Sequence, residues 1–159
     1  MRKIITFSIL IISFQYAFSQ NHTQETLAKL HIIEGLKNGE SITKLLLEQN
    51  AYLVFYTIND KDLYLANFWT KNGSQSAGKV YKSDKSEVIK LDTSNKLYTF
   101  NWSYMNSYDS KSGTARIELI ETTNKYNIKT YQLKIITNNK ELIYKGYIIG
   151  DFDLNLYLK

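Results

Sequence analysis

The side chains of this chain best suited to chemistry are aromatic. Trp69, Tyr98, Phe100, Trp102, Tyr104, Tyr131 and Tyr144 are its candidate ligand-binding residues, with Phe68 and Tyr147 beside them in the strand pattern. Flat apolar rings suit sugars, lipids or ring compounds, and tyrosine hydroxyls orient polar groups. The competing reading is packing, because the interior of a small β-barrel is filled by such side chains. An aromatic stripe on the outside would instead make a contact surface for protein or carbohydrate.

Other chemistries find little support. His22 and His31 stand nine residues apart without the spacing of a zinc helix, so no metal site is expected. No serine lies in a Gly-x-Ser-x-Gly elbow, and Ser74 and Ser76, between Gly73 and Gly78, read as a loop entering a strand. A Ser–His–Asp triad would need one of the two histidines, in the least regular part of the chain. Among carboxylates, Glu118 and Glu121 are separated by an odd number of residues and would face opposite sides of a strand. Asp151-x-Asp153-x-Asn155 opens like a calcium loop, but Leu156 occupies the glycine position and the chain stops before the twelfth residue, so it reads as a polar turn. There is no phosphate-binding glycine loop. The expectation is no catalytic residue, no cofactor and no enzyme.

With no Cys among 159 residues, disulfides, thiolate chemistry, cysteine-ligated zinc and an acylated-cysteine anchor are excluded. Arg2 and Lys3, the apolar run Ile4–Phe14 and the small residues Ala17 and Ser19 read as an export signal cut before Gln20. This gives a signal peptide over 1–19, a single exported domain over 20–159, and a periplasmic or secreted location with no membrane span after processing. Without Arg2 and Lys3 the net charge falls from +5 to +3. Arg116 is then the sole arginine, and acids interrupt the basic stretch Lys79, Lys82, Lys85, Lys90, Lys96, so no nucleic-acid partner is expected.

The elements that must position the aromatics are strands. From residue 51 onward, short segments rich in Tyr, Ile, Val, Phe and Trp alternate with turn residues, over 51–58, 63–70, 76–81, 87–91, 96–105, 114–122, 126–136 and 140–149, with a further edge strand over 154–158. Connections this short make neighbours antiparallel. Tyr98, Phe100, Trp102 and Tyr104 share one face by period-two spacing, opposite Thr99, Asn101 and Ser103. The fold expected is a mainly β antiparallel meander of about eight strands, closing into a barrel or a strongly curved sheet, because closure removes bare edges.

Residues 21–50 are ambiguous. Ile42, Leu45 and Leu46 have helical spacing behind Ser41, while Leu27, Leu30, Ile33 and Leu36 make no clean stripe. Asn38-Gly39 would end a first helix or form a type I′ hairpin turn. Two short helices are the preferred reading, the hairpin the alternative.

The strand count is similar to that of lipocalin-like barrels. Their Gly-x-Trp signature is absent, since Trp69 follows Asn67 and Phe68, and no family is assigned. The function expected is non-enzymatic binding of a small apolar or glycan ligand. The alternative is a protein-interaction module, such as an exported inhibitor, immunity or assembly accessory protein.

Overall fold

The computed structural model describes residues 24–59, 62–81, 88–90 and 95–149. The expected signal sequence, His22, the Asp151–Asn155 turn and the strand expected over 154–158 lie outside these residues. In chain order the elements are β1 (Gln24–Lys37), β2 (Glu40–Ser41), α1 (Thr43–Glu48), β3 (Ala51–Ile58), β4 (Asp62–Trp69), β5 (Ser74–Tyr81), β6 (Val88–Lys90), β7 (Asn95–Asn106), β8 (Ser112–Thr123), β9 (Lys129–Thr137) and β10 (Lys140–Ile149).

Eight strands form one antiparallel barrel in the order β10-β9-β8-β7-β5-β4-β3-β1. It closes where β1 pairs with β10, from Lys29 opposite Ile149 to Lys37 opposite Leu142. The short β6 lies outside this ring, pairing with the first half of β7 while β5 pairs with the second half. Closure comes from β1, which at 14 residues is long enough to pair β3 through its first half and β10 through its second.

Alternation sends a mostly apolar set of side chains inward and a mixed set, charged and aromatic, outward. Leu53 and Phe55, Leu63 and Leu65, Phe100 and Trp102, Ile117 and Leu119, Leu133 and Ile135 all point inward and are buried. Phe55 meets Phe100 edge to face across the centre, at 6.3 Å and 71°. Outside, ion pairs join Arg116 to Glu118, Lys134 to Glu141 and Lys145 to Glu34. No described helix is long and apolar enough to cross a membrane.

Residues 24–50 correct the two-helix expectation. The first expected helix is strand β1. Asn38 (φ 51°) and Gly39 (φ 86°) form the hairpin turn between β1 and β2, with both residues at positive φ as a type I′ turn requires. The second helix exists as α1, but Ser41 is not its N-cap: Ile42 holds that position without a side-chain cap bond. Thr43 instead ties the helix to β1, its Oγ1 accepting from Gly35 N–H at 3.0 Å and donating to Gly35 C=O at 3.3 Å. The cause of the misreading is in β1 itself. Its register shifts between Thr26 and Ala28 and again between Ile32 and Glu34. Across the second irregularity the buried positions pass from Ala28, Leu30 and Ile32 to Gly35, so the strand lacks a continuous period of two.

Gly35 also lets the helix dock. A Cβ there would collide with Cδ1 of Leu46, the one buried residue of α1. The helix therefore lies across one end of the barrel with Leu46 pressed onto bare backbone.

Candidate functional site

At the end covered by α1 the barrel is not filled. A cavity of about 380 Å³ opens there, between the end of β4, the start of β5, the end of β7, the start of β10 and the helix. Its walls include Trp69, Trp102, Tyr104 and Tyr144, with Ile42 and Leu45 of α1 facing them. The register explains why space remains. Tyr104 is flanked across the sheet by Gly78 on β5 and Gly113 on β8, and Trp102 by Val80 and Ala115. Small neighbours let the rings lie along the wall instead of stacking across the lumen. Trp102 and Tyr104 pack on each other at 4.6 Å with planes 30° apart.

Each ring is held from behind. The Trp102 indole N–H donates to the carbonyls of Leu65 (3.0 Å) and Gly78 (3.3 Å), fixing its plane to the β4–β5 pair. Tyr144 is fully buried, and its hydroxyl accepts from Asn67 Nδ2 at 3.3 Å. Burial pushes the Tyr144 phenol up to about 12, partly offset by the Asn67 bond. The rim is laced by Ser76 Oγ–H donating to Asn106 Oδ1 at 2.7 Å and by Gln75 and Ser107, which exchange two bonds between β5 and the β7–β8 loop.

Two polar features of the cavity are unspent. Asn67 is 8% exposed, and its Oδ1 has no hydrogen-bond partner among the described residues. Lys37 and Lys140 stand at the mouth, and neither joins an ion pair among the described residues. Burial, and after it the Lys37 charge, holds the Lys140 ammonium below the usual lysine range. No Asp, Glu or His among the described residues lines the cavity.

The seven candidate aromatics thus divide. Trp69, Trp102, Tyr104 and Tyr144 meet around the cavity. Phe100 packs the centre, and Tyr98 and Tyr131 are buried beyond it toward the opposite end. There Tyr131 donates its hydroxyl to Glu121 Oε2 at 3.4 Å, and burial, then the Glu121 charge, pushes its ionisation up. Glu121 points inward with Lys129 at 3.1 Å and Lys96 at 3.9 Å, whereas Glu118 faces out, as their odd spacing requires. Of the two further aromatics, Phe68 pairs with Tyr52 and stacks on it at 5.1 Å on the outer face. Tyr147, 45% exposed, stacks on His31 at 5.2 Å. His31 is held below its ordinary value by burial and then by Lys29. Within the basic stretch, Lys79 pairs with Asp62 at 2.8 Å and Lys96 with Glu121.

No family model, characterised protein or solved structure matches this chain. What the cavity can do therefore rests on its own geometry. It can hold a ring or short chain between flat apolar walls, meet a polar group at Asn67 and Tyr144, and attract negative charge at the mouth. Sequence reasoning missed Asn67, Lys37 and Lys140. The signal for Asn67 was present, since it sits at an inward position between Leu65 and Trp69, where an apolar residue is the default.

Proposed function

We propose that this chain is an exported, non-enzymatic binding protein that holds a small apolar or glycan ligand in the cavity beneath α1. The observation that carries this reading is a space of about 380 Å³ walled by Trp69, Trp102, Tyr104 and Tyr144. Ligand sites are typically ~300–1,000 Å³, mostly apolar, with a few placed polar groups. Among the described lining residues there is no carboxylate or imidazole, the commonest general bases, which favours binding over hydrolysis. The charged outer surface suits a barrel that works in water.

The test is thermal unfolding of the purified protein against panels of ring compounds, lipids and glycans. A ligand at a hundred times its Kd adds about 2.7 kcal/mol to stability, and one class should raise the melting midpoint accordingly. If every class leaves the midpoint unmoved, the protein-interaction reading takes its place. The feature that favours this second reading is the outer face of β3 and β4, where Tyr52 stacks on Phe68 and Tyr56 on Tyr64, with the Lys29 ammonium 3.8 Å over Tyr52. A sheet edge is a weaker basis, since each of the eight barrel strands is paired on both sides.

A further inference from the structure

The polar groups of the cavity lie at two depths, and their types are complementary to one kind of molecule. At depth, Asn67 and Tyr144 spend one hydrogen bond on each other. That leaves Asn67 Oδ1 as a buried acceptor without a partner and the Tyr144 O–H with no acceptor among the described residues; both atoms sit just behind the surface of the cavity that their residues line. A buried polar group left unmatched is costly, so such a pair is poised for a partner. A hydroxyl is the group that answers both, donating to Asn67 and accepting from Tyr144. It still finds a bond if the amide is turned over, because Nδ2 then faces it as a donor.

The mouth has the opposite need. Lys37 ends β1 and Lys140 begins β10, and the turn at Asn38 fastens the two strands there through Asn38 N–H to Glu141 C=O (2.9 Å) and Glu141 N–H to Asn38 Oδ1 (2.8 Å). Two ammonium groups are thereby held at one rim, with no carboxylate among the described lining residues. Like charges brought together at a partly desolvated edge are relieved by a bound anion. The flat faces of Trp102 and Tyr104, packed on each other, line the same cavity. At about 30 Å³ per water molecule the space equals roughly a dozen waters, the room of a one-ring or two-ring compound.

We propose that the ligand is a small hydroxyaryl acid, seated with its hydroxyl on Asn67 and Tyr144, its ring against Trp102 and Tyr104, and its anionic group between Lys37 and Lys140. This deepens the small-ligand reading above and rests on it. The anion need not be a carboxylate in origin; a sulfonate or phosphate on the same ring meets the same two lysines.

Three matched probes separate the parts: 3-(4-hydroxyphenyl)propanoate, its methyl ester, and 3-phenylpropanoate. Calorimetric titration should give the hydroxy acid the highest affinity. Each analogue should bind about tenfold more weakly or worse, the loss expected for a hydrogen bond with a charged or buried partner. The Lys37→Gln/Lys140→Gln double variant lies on the rim and should fold normally. It should lose about tenfold for the acid and leave the ester unchanged. Added salt should weaken the acid and spare the ester. An ester that binds as tightly as the acid, or a double variant with undiminished affinity for the acid, overturns the anion assignment while small-ligand binding stands. Equal binding of 3-phenylpropanoate overturns the hydroxyl site. Silence of all three probes, with binding of an uncharged lipid or glycan, overturns the hydroxyaryl acid alone. Silence of every class removes both readings.

Discussion

The phenol of Tyr104 lies across Gly113, its cross-strand partner, where a Cβ would stand 2.6 Å from the hydroxyl oxygen and 2.7 Å from Cζ. The three nearest atoms all belong to the far end of that one flexible side chain. Gly113→Ala should therefore swing the Tyr104 ring toward the cavity with little loss of stability, within about 1 kcal/mol, as alanine also suits a strand better than glycine. Ligand affinity should fall because the space narrows. Tyr104→Ala should lower affinity by the opposite route, removing a wall. A melt and a binding titration on both variants check this; a large fall in melting midpoint for Gly113→Ala would mean that the ring cannot move.

Tyr144 makes alkaline stability measurable. Its ionisation is raised to about 12 in the fold, against 10.0 for the unperturbed group. Between these values the unfolded chain releases the proton and the folded chain keeps it. Stability should thus be intact below pH 10 and fall as pH rises toward 12, by roughly 3 kcal/mol from this group, at about 1.4 kcal/mol per unit. Tyr144→Phe should flatten that part of the curve relative to the parent protein in urea titrations at stepped pH. Parallel curves would mean that the phenol is not buried.

Trp102 joins wall and core. It is 2% exposed and bonded to two carbonyls. Trp102→Ala should cost about 3–5 kcal/mol, a large share of a small domain's stability. Chemical denaturation measures it directly, and an unchanged midpoint would put this face of β7 outside the barrel.

Export has a simple check. If Ala17 and Ser19 mark a peptidase site, the protein recovered from the exported fraction begins at Gln20. An intact mass that retains residues 1–19 would contradict this.

Most of the barrel could be read from residue 51 onward because its strands run without a register shift between turn residues. The ranges read for 51–58 and 140–149 coincide with β3 and β10. The closing strand could not, because the two irregularities of β1 break the only periodicity that identifies a strand in a single sequence. Asn38-Gly39 was ambiguous for a physical reason: positive φ serves a helix end and a tight hairpin equally. The aromatics of the site were evident, since residue type alone singles them out. Which of them line a cavity was not, because this depends on their neighbours in register. Gly78 and Gly113 become meaningful beside Tyr104 only once β5, β7 and β8 are aligned. Lys37 and Lys140 are 103 residues apart and meet through barrel closure, which no local pattern encodes.

The chain has two tryptophans, Trp69 and Trp102, and both wall the cavity. Their emission therefore reports on this space and on little else. Titration of the purified protein with ring compounds, lipids and glycans, followed by intrinsic tryptophan fluorescence, tests the central claim most directly. Binding in the cavity predicts a saturable change in emission with at least one class, weakened in Tyr104→Ala while that variant still melts cooperatively. Emission that stays unchanged with every class up to millimolar concentration, in a protein shown to be folded, would contradict it.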